Sequence, residues 1–197
     1  MLSLSNAKLL QNLLILSDFV GRIDVGGDEE IAITSLRNDD INAQDTLCVI
    51  SGENNGLDIV ITDFEDGVVS LSGNDKTLSN RDMIGIVSIP FDSYITQAER
   101  YLKNDFRNKG AELDNFLNTE QLEQLHIYKT LSLICGDRRN STDQNDSYNA
   151  NFQRFETMYQ TEFSNLLADY DENEDGEIST DEELIFKGQV GFTRWYR

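Results

Sequence analysis

The apolar positions change period twice along the chain. Leu9, Leu10, Leu13, Leu14, Leu16 and Phe19 recur at roughly helical spacing, with Ser5 or Asn6 able to cap the start and Gly21 able to stop it. This predicts a short amphipathic N-terminal helix. From about Ile23 to Ile89 the apolar runs shorten to strand length: Ile31 to Ile33, Leu47 to Ile50, Leu57 to Ile61, Val68 to Leu71 and Met83 to Ile89. Clusters of Gly, Asn and Asp separate them, as at Gly52 to Gly56 and Gly73 to Asp75. Five short strands with such turn signals predict a small barrel or sandwich.

After Pro90, the only proline, helical period returns. Asp92 or Ser93 caps a first helix with Tyr94, Ile95, Ala98, Tyr101, Leu102 and Phe106 on its apolar face, interrupted by Asp105 and ended by Gly110. A second starts at Asn118, with Gln121 placed for a capping box, and stops at Gly136. It carries Leu122, Leu125, Tyr128, Leu131, Leu133, Ile134 and Cys135 on more than one face, which predicts a central, buried helix. A third has apolar residues at Tyr148, Phe152, Phe155, Tyr159, Phe163, Leu166 and Tyr170, in steps of three and four.

These elements predict an α+β fold, an antiparallel helical bundle of three long helices plus the short N-terminal helix, with an inserted small all-β barrel or sandwich. The expected organisation is an N-terminal helix over 1–22 packing on the helical domain, an acidic β insert over 23–90, a helical domain over 91–187 and a tail over 188–197. The chain shows no internal repeat.

Charge narrows the function classes. The 36 acids and 16 bases give −20, and residues 24–92 alone hold 15 acids against three bases, Arg37, Lys76 and Arg81. Phosphate binding needs clustered Lys and Arg, so specific binding of DNA or RNA is not expected. An anionic membrane surface is disfavoured for the same reason. Such a balance reads either as plain solubility and self-repulsion or as a functional repulsive surface. Cys48 and Cys135 match no metal spacing and read as small buried residues of a reducing compartment. The stretch Leu13 to Leu16 is too short to span a bilayer and lacks the form of a signal peptide.

One motif carries site chemistry. Residues 171–182 read Asp-Glu-Asn-Glu-Asp-Gly-Glu-Ile-Ser-Thr-Asp-Glu. Calcium takes six to eight oxygens at about 2.3–2.6 Å, and a twelve-residue loop wraps it when oxygens fall at alternate positions. Asp171, Asn173 and Asp175 occupy the first three such positions, and Gly176 permits the turn. Glu177 offers its carbonyl, Ser179 binds through water, and Glu182 closes the site with both carboxylate oxygens. The alternative is a solvated acidic turn. Tyr170, Leu167, Leu166 and Phe163 sit where an entering helix presents apolar groups, but Gly188 cuts the exiting helix short. Sensor EF-hands work in pairs between full helices. A single loop with a stunted exit is expected to use calcium as a structural staple. Beyond it, Val190 to Arg197 is aromatic and basic, with no acid after Glu183, whereas Glu162 to Glu183 holds ten acids and no base.

Catalysis finds little support. The only histidine, His126, lies in the second helix and reads as a packed or surface residue rather than a ligand or base. No phosphate loop, nucleophile elbow or His/Cys cluster occurs, and acidic pairs such as Asp39-Asp40 and Glu29-Glu30 arise by chance among so many acids. A non-enzyme is expected.

The stretches Tyr94 to Leu102, Tyr128 to Ile134 and Phe155 to Phe163, followed by the loop Asp171 to Gly176 and the Arg-containing tail Phe192 to Arg197, resemble the head-to-tail adaptor (connector or neck) proteins of tailed phages. The resemblance covers about 92–197, and the β region departs from the compact family pattern. It implies a virion protein forming a dodecameric ring between the portal protein and the next neck or tail protein. DNA would pass through an acidic channel without specific binding. Phe192, Arg194, Trp195, Tyr196 and Arg197 would dock on a partner, since Trp, Tyr and Arg are favoured at interface hot spots; the alternative for this segment is a frayed terminus. The competing reading is a stand-alone calcium-binding, EF-hand or dockerin-like interaction module.

Overall fold

The computed structural model describes residues 4–36, 41–72, 76–88, 90–116, 120–139 and 146–166. The chain divides into two compact units, one over Ser5–Asp92 and one built mainly from the residues after it.

The first unit opens with α1 (Asn6–Asn12), whose N-cap Ser5 accepts from the Lys8 N–H. Leu13 then leaves helical geometry, a single 3-10 turn spans Leu14–Leu16, and the chain enters β1 (Phe19–Arg22). The helix expected over 1–22 is therefore only two turns long. Its leucines hold helical spacing, but Phe19 to Arg22 pair antiparallel with Ile86 to Met83, and sheet pairing overrides the local pattern. Gly21 lies inside β1, not at a helix end.

The sheet continues with β2 (Glu30–Ala32), β3 (Thr46–Ser51), β4 (Asp58–Glu65), β5 (Val68–Ser72) and β6 (Met83–Val87). The strands form one antiparallel six-stranded sheet in the order β1-β6-β3-β4-β5-β2. Register shifts between Val49 and Ser51 and between Ile61 and Asp63 mark bulges, which bend the strands and curl the sheet into a half-barrel. Its concave core gathers Ile31, Leu47, Val49, Ile61, Val69 and Ile84. The central strand β3 is buried from Thr46 to Ile50, on both faces, because α1 packs on its back. That packing uses a glycine: a methyl on Gly85 would come within 2.7 Å of Leu10 Cδ1. Asp66 and Gly67, both at positive φ, make the tight turn between β4 and β5.

The second unit holds α2 (Asp92–Asn108), α3 (Glu120–Arg138) and α4 (Ser147–Ser164). Only α3 and α4 lie backbone to backbone. They run antiparallel, since Gly136 faces Phe152 and Ser132 bonds to Glu156. Gly136 does not end α3. It sits within the helix, where an added methyl would approach the Phe152 ring to 3.2 Å. α2 reaches the pair through side chains, Leu102 and Phe106 joining Leu122, Leu125 and Tyr159 in a second core. Phe106 also packs against Phe116 and Phe163, with ring centroids 4.9 and 5.1 Å away.

These findings correct the fold class expected from the sequence. The chain is mixed α and β, and its described residues hold a curled six-stranded half-barrel sheet and four helices. It is not a three-long-helix bundle carrying a closed barrel or a sandwich. One helix serves the sheet, and α2 joins α3 and α4 through side chains.

A polar brace closes one end of the sheet. Asp82, fully buried, accepts from the N–H of Asn54 (3.1 Å) and of Ser79 (2.9 Å) and from Asn54 Nδ2 (3.0 Å). Gly52, at φ +114, packs so close that a Cβ there would meet Asp82 Oδ1 at 2.3 Å, whereas Gly56, at φ +92, has open space. Gly56→Ala is expected to cost only the left-handed backbone penalty of about 1 kcal/mol. Gly52→Ala adds a clash with the brace and is expected to cost about 2–4 kcal/mol. Denaturant melts of the two variants check this; equal losses would show that the brace is not rigid.

Candidate functional site

The residues expected to carry function fall largely outside the described residues. Asp171, Asn173, Asp175, Glu177, Ser179 and Glu182 all lie beyond them, as do Phe192, Arg194, Trp195, Tyr196 and Arg197. Among the described residues, no group of three or more His, Cys, Asp or Glu side chains is placed to hold a metal ion. No described helix is long and apolar enough to cross a membrane.

The chemistry that is visible concentrates in the helical unit, around Lys129 on α3. Its ammonium sits 3.2 Å from Glu156 Oε2 on α4, with the side chain only 12% exposed. It lies over the Tyr159 ring at 4.7 Å and the Tyr101 ring at 5.1 Å. Glu156 also accepts from Ser132 Oγ at 2.8 Å and from Gln160 Nε2 at 3.2 Å. Burial alone would raise the Glu156 carboxyl, but the bonds from Ser132 and Gln160 and the Lys129 charge outweigh it and hold it below the usual range. Tyr159 donates to Asp105 on α2, and burial first, then that bond, pushes its phenol far up. The arrangement locks three helices together with every polar partner satisfied. It offers no unpaired base or nucleophile.

His126 is different. It is fully buried, its Nε2 lies 2.8 Å from the Ile95 carbonyl of α2, and its Nδ1 has no hydrogen-bond partner. The carbonyl can only accept, so Nε2 carries the proton and Nδ1 is a bare acceptor. Tyr94 at the start of α2 donates to Asp137 near the end of α3 at 2.6 Å, a second tie between these helices. Desolvation holds the imidazole below its ordinary 6.5, against smaller opposite effects of the Ile95 bond and of Glu99 and Glu123. Of the two readings expected for it, packed or surface, the burial selects the packed one.

On its exposed side, α4 presents Gln153, Glu156, Thr157, Gln160, Thr161, Ser164 and Asn165 along a shallow groove of about 530 Å³. The two cysteines are free and buried. Burial pushes the Cys135 thiol up to about 11 and the Cys48 thiol higher still, so neither is a nucleophile at neutral pH.

Sequence reading did not single out Lys129. The signal is a lone cation between Tyr128 and Thr130 in a helix apolar on several faces, where a charge must find a partner. Comparison with protein families, with curated proteins and with solved structures gave no match to this chain.

The His126 geometry sets a pH dependence. Its folded-state pKa lies below the unfolded value, so between the two the unfolded chain binds the extra proton. The contribution is fully present above about pH 6.5 and is lost as pH falls toward the folded pKa. Melting temperature is expected to drop between pH 7 and pH 5 in the native protein, and by visibly less in His126→Gln. An identical slope in both would place the pH dependence elsewhere.

Proposed function

We propose that this chain is a structural virion protein, a head-to-tail adaptor that sits as a ring between portal and tail of a tailed phage. One observation supports the reading above others. The three stretches that carry the resemblance lie on three consecutive helices, Tyr94 to Leu102 on α2, Tyr128 to Ile134 on α3 and Phe155 to Phe163 on α4. Lys129, Glu156 and Ser132 pair with one another and Tyr159 with Asp105, which suits a scaffold element rather than a reaction centre. The net charge of −20 suits a surface past which DNA must slide without adhering. In this reading the basic aromatic tail, Phe192 to Arg197, docks on a neighbour or partner.

Negative-stain imaging of the purified protein mixed with virion particles tests the reading. Rings, or added density at the connector, are expected, and neither should survive deletion of 192–197. Absence of both with the intact chain would remove the adaptor role.

The complete loop at 171–182 favours a role for calcium within either this reading or that of a separate interaction module. Asp171, Asn173, Asp175, the Glu177 carbonyl, Ser179 through water and Glu182 would hold the ion, neutralising crowded carboxylates and fixing the direction of the chain beyond Leu166. Calcium at about a hundred times Kd is expected to stabilise by about 2.7 kcal/mol, read as a rise in melting temperature. Helicity should change little, and Glu182→Gln should abolish the rise. Calcium-induced exposure of a dye-binding apolar surface would favour a sensor instead.

A further inference from the structure

The half-barrel has two edges, and the chain itself covers one. The outer side of β2 is bridged by Val25, with Ala32 N–H donating to the Val25 carbonyl and the Asp24 and Val25 N–H groups donating to Ala32. β1, at the other edge, pairs only with β6 among the described residues. No other described strand pairs along its outer side, and Val20 at its centre is 36% exposed.

The residues on and beside this edge are complementary to themselves. They read Asp18-Phe19-Val20-Gly21-Arg22. Arg22 is exposed and makes no ion pair with any described residue. Asp18, also on the surface, accepts from Ser88 N–H and Oγ but carries no countercharge among the described residues. An antiparallel pair of two such strands centred on Val20 sets Val20 against Val20, Phe19 against Gly21, and Arg22 against Asp18, the last two pairs each occurring twice by symmetry. Phe19 already folds its ring over Gly21 of its own strand, so the complementarity across the pair lies in the charges, each of which meets its opposite.

We infer that the open edge of β1 is a docking surface for the same edge of a second copy of this chain, forming a two-fold dimer through a shared sheet. Opposite charges directly across a strand pair favour it, like charges oppose it, and the exposed edge backbone supplies the hydrogen bonds. The inference does not rest on the adaptor reading. A two-fold contact closes at two copies and cannot by itself propagate around a ring, so it describes the free protein or a contact between assemblies.

Charge reversal tests it on the full-length chain by sedimentation equilibrium. The native protein is expected to show a concentration-dependent dimer. Arg22→Glu places glutamate against Asp18 twice and should weaken dimerisation tenfold or more. Asp18→Lys places lysine against Arg22 twice and should do the same. An equimolar mixture of the two variants restores both attractive pairs, Asp18 with Arg22 and the introduced glutamate with the introduced lysine, and should dimerise again as a heterodimer. Asp18→Lys also removes the bonds to Ser88, so Val20→Asp, which breaks no side-chain hydrogen bond, stands as a second disrupting variant if the first fails to fold. A native protein that stays monomeric at every concentration, or an Arg22→Glu protein that associates as the native one does, overturns the proposal. Dimers that form without any ring on the connector would leave it standing while the adaptor reading fell.

Discussion

Carboxylates that accept from backbone N–H groups hold the sheet unit together. Acids outnumber bases 36 to 16, so most carboxylates cannot be matched by a cation. The chain turns many of them on its own amides instead. Asp58 accepts from the Asn6 and Ala7 N–H groups at 2.6 and 2.8 Å and so caps α1 onto β4. Asp18 holds Ser88, Asp24 holds Thr34 through N–H and Oγ1, Asp45 holds Asn42, and Asp82 holds Asn54 and Ser79. Asn6 adds a buried bond, its Oδ1 accepting from the Phe91 N–H. A carboxylate is acceptor-only and can take several N–H bonds at once, so each brace satisfies loop donors that a short strand leaves unpaired. The braces join segments up to 70 residues apart and act beside loop residues such as Ile23, Leu36, Ile41 and Leu78 that the core buries.

The consequence for charge is direct. At Asp24 the Thr34 hydroxyl and N–H bonds hold the carboxyl below its ordinary value. At Asp82 burial pushes the other way, but the bonds from Asn54, Ser79 and Glu53 outweigh it. Both groups therefore contribute stability at neutral pH that is lost only as pH falls through their folded pKa values. The acidity of the chain is thus partly internal structure and not only surface.

Local pattern made much of this fold legible. The runs Leu47 to Ile50, Leu57 to Ile61, Val68 to Leu71 and Met83 to Ile89 overlap β3 to β6, because alternation with flanking Gly and Asn is a short-range signal. The helical periods after Pro90 overlap α2, α3 and α4 for the same reason. What the sequence hid is long-range. β1 is four residues with a glycine, preceded by leucines that continue a helical spacing, and only its partner β6 makes it a strand. Gly136 looked like a stop signal but serves the approach of Phe152. Among candidate site residues, His126 was readable as packed or surface, whereas Lys129 became notable only once Glu156, Tyr101 and Tyr159 were seen around it. The calcium loop and the basic tail rest on their sequence pattern.

The strap of Asp24 and Val25 across β2 has a further meaning. An uncovered strand at both ends would let copy after copy add to the sheet, the route by which edge strands seed fibrils. Here one end is already sewn shut by the chain's own backbone. Whatever joins at β1, a sheet built from this unit carries its own terminator, and growth by strand addition stops where it begins.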